Sequence, residues 1–241
     1  MKKITCEVCV ETVDDAIRAE QAGADRIELC ADLAVGGTTP SAGLIRTTAK
    51  QVSIPVMVMI RPRPGDFCFS EHEKTTMMRD IQYAAESEIS GVVIGALTND
   101  NRIDVACCQS LLEVTGELDV TFHRAFDLVE NPLQAFDSII EMGIKRVLTS
   151  GTESTAEKGA ILLRQLVERG QGKISVMPGA GVNERNVVTI LRETNASEIH
   201  FSGRRLGDDS TDRFGFGEHF VTDGDRVANI CSAVNRFCND N

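Results

Sequence analysis

Positive charge is scarce in this chain: 25 lysines and arginines stand against 36 acidic residues among 241, a formal net charge of −11. That balance excludes the broad basic footprint that nucleic acids and anionic membrane surfaces require, while leaving room for a local basic site. Long apolar runs are also missing, and nothing approaches the roughly 20 residues of a membrane span. Met1-Lys2-Lys3 resembles the basic start of a secretory leader, but Glu7 and Glu11 interrupt the apolar stretch after it. A cytoplasmic protein is therefore expected. The first apolar run is not followed by Gly-x-Gly-x-x-Gly, which weakens an open doubly wound sheet, and neither His-Glu-x-x-His nor a nucleophile elbow occurs. With no linker, charge block or low-complexity stretch, residues 1–241 read as one domain. Eight cysteines, at 6, 9, 30, 68, 107, 108, 231 and 238, are scattered through a chain large enough to fold without staples, so reduced thiols are expected.

What is present is a repeat: a short Val- and Ile-rich run, a polar or glycine-containing turn, then a longer amphipathic stretch. Strands are expected near 3–9, 26–30, 55–60, 91–96, 119–123, 145–149, 173–178 and 197–202. Helical patterns lie between and after them, at 12–23, 41–51, 72–89, 103–115, 132–142, 156–170, 184–194 and 224–238. Alternation of this kind implies parallel strands joined by right-handed crossovers. Eight rounds in this length match a (β/α)8 TIM-like barrel, which places its chemistry at the C-terminal ends of the strands.

Those ends are unusually polar. Glu7-Val8-Cys9 and Glu28-Leu29-Cys30 repeat one Glu-x-Cys pattern, and strand alternation puts Glu7 with Cys9, and Glu28 with Cys30, on a common face. Cysteine is often a small core hydrophobe, but a carboxylate is rarely buried without a partner, so two of them ending apolar runs imply a polar patch. Thiolates there would suit Cu(I) or Zn(II). Cys6, three residues before Cys9, points to the opposite face and reads as core.

Further along, Arg61-Pro62-Arg63 offers cationic clamps, or alternatively partners that neutralise Glu7 or Glu28. His123 could act as acid, base or ligand, with Asp127 orienting it or Arg124. His200, inside the last strand, has weaker context. Gly179-Ala180-Gly181 ahead of Asn183, a plausible helix cap, and Ser202-Gly203 fit the anion site common in this fold. A Schiff-base lysine is disfavoured, since Lys145 and Lys173 fall at strand starts.

Taken together, these strand-end motifs resemble the CutC family of copper homeostasis proteins. The resemblance runs through Glu7-Val8-Cys9-Val10, Ala24-Asp25-Arg26-Ile27-Glu28-Leu29-Cys30, Gly36-Gly37-Thr38-Thr39-Pro40-Ser41, Ile60-Arg61-Pro62-Arg63 and Gly65-Asp66-Phe67. It continues through Val120-Thr121-Phe122-His123-Arg124-Ala125-Phe126-Asp127, Val147-Leu148-Thr149-Ser150-Gly151 and Pro178-Gly179-Ala180-Gly181-Val182, covering residues 4 to 203. It implies a TIM-like barrel, cytoplasmic location, copper binding and a homo-oligomer, a dimer being expected. The family's proposed copper ligands map onto Cys9 and Cys30. Two readings stay open: a Cu(I)-binding homeostasis protein, or a barrel enzyme acting on a small phosphorylated or carboxylated compound. The second would use Glu7, Glu28, Arg61 and His123 for chemistry, and Arg63, Gly179, Gly181, Ser202 and Gly203 for anion binding.

Overall fold

Each Val- and Ile-rich run becomes a strand covered on both faces, by helices outside and by the barrel interior inside, which is why the runs read as nearly continuous apolar segments. The structure is a computed structural model and describes residues 3–207 and 218–240. From the N-terminus, β1 (Thr5–Val10), α1 (Val13–Gln21), β2 (Arg26–Leu29), α2 (Ala42–Gln51), β3 (Val56–Met59) and α3 (Glu71–Ala85) alternate as expected. They are followed by β4 (Gly91–Ile94), α4 (Val105–Leu112), β5 (Asp119–Phe122), α5 (Pro132–Glu141), β6 (Arg146–Thr149) and α6 (Ala160–Gly170). The barrel ends with β7 (Ser175–Pro178), α7 (Val187–Thr194), β8 (Glu198–Phe201) and, beyond an inserted hairpin, α8 (Gly224–Asp240).

Strand order is β7-β6-β5-β4-β3-β2-β1-β8, and every neighbouring pair is parallel. Strands β7 and β8 end that order yet lie side by side, so the (β/α)8 barrel is nearly closed. Gly179 permits that seam: a Cβ there would stand 2.6 Å from Leu148 Cδ1 and 3.5 Å from His200 Cβ. Local chemistry starts the helices, with a Ser70/Glu73 capping box on α3 and Asn131 accepting from the Gln134 amide ahead of Pro132 at the first position of α5.

Some boundaries differ from the sequence expectation. Helix α7 begins at Val187, and Asn183 instead accepts from the Arg185 amide in the turn before it. An antiparallel ribbon, β9 (Arg204–Leu206) with β10 (Phe220–Thr222), is inserted between β8 and α8. Strands of three residues carry too little alternation to be read from sequence. The unassigned tail motif Phe214-Gly215-Phe216-Gly217 lies outside the described residues.

Inside the barrel the packing is partly ionic. Parallel register sets Glu7 opposite Arg26 on one side and opposite His200 on the other. Arg26 donates to both Glu7 and Glu198, and Arg146 donates to Glu198 at 2.5 Å and to Thr121 Oγ1 at 3.0 Å. All four charged groups are buried. Above this layer Cys30, Met57, Met59 and Val93 form a small apolar cluster, separate from the main core between strands and helices. Cys6 belongs to that outer core, beside Cys231.

Removing one partner of a buried ion pair costs about 3–5 kcal/mol, because the other charge is left unpaired in low dielectric. Arg26→Met should lose about that much in urea denaturation. A loss below about 1 kcal/mol would show that the ion layer is incidental to the fold.

Candidate functional site

The C-terminal ends of the strands surround a cavity of ≈620 Å³. Its floor is set by register: β1 and β2 pair so that Cys9 stands beside Glu28, while β1 and β8 pair so that Glu7 stands beside His200. Ligand atoms of Cys9, Glu28 and His200 consequently lie within 4.8 Å of one another, all three side chains buried. His200 Nδ1 lies 2.8 Å from Glu7 Oε1 and its Nε2 lies 3.7 Å from Glu28 Oε2.

The charges on these groups are set by their neighbours. Burial alone would raise the Glu7 carboxyl, but the charges of Arg26 and His200 outweigh it and hold Glu7 down at about 2. An ionised Glu7 needs a donor, which places a proton on His200 Nδ1 and turns Nε2 toward Cys9 and Glu28. Burial opposes the charged imidazole, yet Cys9, Glu28 and Glu7 together raise His200 well above its ordinary range. Glu28 is the contrasting carboxyl: burial, then repulsion from Glu7, pushes it up to about 7 despite the nearby His200.

Cys30 occupies a different level. It is fully buried, does not line the cavity, and lies outside the Cys9–Glu28–His200 group. Because Cys9 aligns with Glu28, Cys30 falls one pleat higher, where its Sγ lies under Gly37 and burial, then the charge of Glu28, pushes the thiol well up.

The opposite wall carries Arg61 and His123. Arg61 is 4 % exposed, and its guanidinium donates to the Val35 and Gly37 carbonyls at 2.9 Å and to the Gly65 carbonyl at 2.8 Å. Among the described residues no carboxylate lies within 4 Å of it, so it does not neutralise Glu7 or Glu28. His123 Nδ1 accepts from the Ala125 amide at 3.2 Å, which puts its proton on Nε2. Burial, then the charge of Arg61, pushes His123 down to about 3, so the ring is neutral. It occupies space left by Gly95, where a Cβ would come within 2.5 Å of the ring.

Other expected site residues are placed elsewhere. Arg63 is engaged by Glu73 at 2.5 Å and Asp66 at 2.9 Å and does not line the cavity. Asp127 pairs with Arg124 at 2.8 Å and accepts from the Ser150 amide, tying down the loop after β6, and does not orient His123. Gly181 and Ser202 line the cavity; Gly179 serves the seam, and Gly203 packs against Val227 and borders a neighbouring cleft. His200 and Arg26 carry little signal in the sequence, although both share strand parity with residues singled out there: Arg26 with Glu28 and Cys30, His200 with Ser202.

A (β/α)8 barrel with ionisable groups gathered at the C-terminal mouth defines the class: a barrel binder or enzyme of the TIM type. The CutC family pattern matches residues 4–205, and the chain belongs to the CutC family. It is 48% identical over 202 residues to the human "Copper homeostasis protein cutC homolog", covering 84% of this chain and 74% of that one. The crystal structure of CutC from Streptococcus agalactiae superimposes with a TM-score of 0.79 at 36% identity, covering 82% of this chain and 97% of that one. Thiamine phosphate pyrophosphorylase from Pyrococcus furiosus superimposes with a TM-score of 0.63 at 15% identity over 98% of each chain, a likeness of fold alone. Among the described residues, no helix is long and apolar enough to cross a membrane.

A carboxyl raised from 4.5 to about 7 keeps, in the folded state, a proton that the unfolded chain has lost. Its contribution to stability therefore falls as pH rises from about 4.5 to 7. In metal-free protein Glu28→Gln, which mimics the protonated form, should be more stable than wild type at pH 8 by roughly 3 kcal/mol, from about 1.36 kcal/mol per pKa unit. The advantage should vanish near pH 4.5. Equal stabilities at both pH values would place Glu28 at an ordinary carboxyl pKa.

Proposed function

We propose that the protein is a Cu(I)-binding member of the copper homeostasis family, capturing the ion at the floor of the barrel mouth through Cys9 and His200. One observation carries this reading: a thiol, an imidazole and a carboxylate converge within 4.8 Å in a buried site, and the imidazole is backed by a second carboxylate, Glu7. A carboxylate that fixes a histidine through one ring nitrogen and leaves the other for a metal is the usual outer support of a metal site. The donor set fits a soft ion, since thiolate and imidazole both bind Cu(I), whereas a hard cation would call for oxygens alone. Glu28 Oε1 is buried without a hydrogen-bond partner, an acceptor left open beside the same donors.

Cys30, which hydrogen-bonds Glu28 from outside the Cys9–Glu28–His200 group, is the second thiol of the pair that the family resemblance implies and would have to move toward the ion to join it. Its elevated pKa means that a proton must leave before it ligates, and His200 Nε2 must also lose one. Copper uptake is thus coupled to proton release. A cytoplasmic, reducing setting and a homo-oligomer, a dimer, go with this reading.

Titration of the reduced protein with Cu(I) against a competing chelator tests it. Cys9→Ser combined with Cys30→Ser should abolish tight binding, and Glu7→Gln, which removes the support behind His200, should weaken it by about 10–100-fold. Unchanged stoichiometry and affinity in the double variant would return both cysteines to the role of core residues.

A further inference from the structure

Six buried side-chain polar atoms lack a hydrogen-bond partner among the described residues: Glu28 Oε1, Thr48 Oγ1, Arg61 Nε, His123 Nε2, Ser175 Oγ and Arg204 Nη1. Four of the six, on Glu28, Arg61, His123 and Arg204, belong to residues that line the cavity at the barrel mouth. Buried donors are nearly always satisfied, and those that are not call for a partner. Copper at Cys9 and His200 would leave the donors of Arg61 and His123 unanswered, because a cation takes lone pairs and these two groups offer hydrogens.

The charge points the same way. Arg61 is a buried guanidinium whose terminal nitrogens are held by backbone carbonyls, which satisfy hydrogen bonds without cancelling charge. Among the described residues Arg204 Nη1 has a loose ion pair, 3.8 Å from Glu11, and its guanidinium carbon lies 4.7 Å from the centre of the Phe220 ring. Phe67 braces both members of the opposite wall, its ring 4.7 Å from the Arg61 guanidinium carbon and 4.9 Å from the His123 ring centre. Val35, Leu128, Leu148 and Phe201 give the cavity an apolar body. Its volume suits a small metabolite.

We propose that this cavity binds a small organic oxyanion, a carboxylate or a phosphate ester, with its charge at Arg61 and a carbonyl or hydroxyl oxygen accepting from His123 Nε2–H. The chain as a whole is acidic, so an anion is drawn in only by local reversal of the field at the mouth. A neutral histidine donates to an uncharged oxygen without competing for the anion. The ligand sits above the copper donors and does not depend on them.

Calorimetry and thermal shift on the metal-free, reduced full-length protein test the proposal, with inorganic phosphate, glycerol phosphate, dihydroxyacetone phosphate, acetate and pyruvate as probes. At least one phosphate or carboxylate should raise the melting temperature of wild type, and the preferred series identifies the anion. Arg61→Lys, which keeps the charge but loses the fork, should weaken binding at least tenfold. Since Arg61 also ties three loop carbonyls, Leu128→Glu serves as a second variant: its side chain is 52 % exposed at the rim, so the fold tolerates it while the new charge repels the ligand severalfold. His123→Phe should erase the preference for dihydroxyacetone phosphate over inorganic phosphate, or for pyruvate over acetate. The proposal is overturned if no probe stabilises wild type at millimolar concentration, or if Leu128→Glu binds as tightly as wild type. Because copper is absent throughout, this outcome is separate from that of the Cu(I) titration.

Discussion

Arg26 lies between two carboxylates inside the barrel, and the rest of the mouth depends on that arrangement. Buried charge is tolerated only when paired, and Arg26 is paired with Glu7 and Glu198, the latter shared with Arg146. The pairing keeps Glu7 ionised in a site where burial alone would protonate it. An ionised Glu7 then fixes the His200 ring and aims Nε2 at Cys9 and Glu28. Three strands, β8, β1 and β2, are thereby locked in the register that assembles the floor of the cavity.

The mouth divides into halves of opposite electrostatic character. On one side Cys9, Glu28 and, once its Nε2 proton leaves, His200 would offer lone pairs to the proposed soft cation, with Glu7 behind them. On the other, Arg61 and the neutral His123 offer hydrogens to an oxygen ligand. The two histidines illustrate how environment sets role: His200 is surrounded by anions and gains a proton, whereas His123 is buried near a cation and loses one. The copper site and the oxyanion pocket proposed above are compatible with a barrel whose mouth serves more than one ligand.

Much of this was legible in the sequence, and the reasons are specific. Strand and helix alternation pointed to the barrel because parallel strands buried on both faces leave long apolar runs that periodicity detects. Strand parity correctly set Glu7 with Cys9 and Glu28 with Cys30, but parity says nothing of register. The stagger that puts Cys9 against Glu28, and Glu7 against both Arg26 and His200, is decided by pairing between strands 19 and 193 residues apart. The same limit hid the partners of Arg61, whose backbone carbonyls on the loops after β2 and after β3 leave no trace in side-chain identity. Arg63 looked equivalent to Arg61 two residues away, yet Asp66 and Glu73 engage it outside the cavity. The β9–β10 ribbon was unreadable because three-residue strands are defined by their pairing alone.

The protonation state of His200 tests the central claim most directly. Nitrogen-15 NMR of the metal-free protein reports which ring nitrogens carry hydrogen across a pH titration. In wild type His200 should remain a doubly protonated imidazolium through neutral pH, with its Nδ1 hydrogen bonded to Glu7. In Glu7→Gln its pKa should fall by at least about one unit, the loss of a close buried opposite charge. A His200 that is neutral in wild type at pH 7, or that titrates identically in the two proteins, would contradict the account.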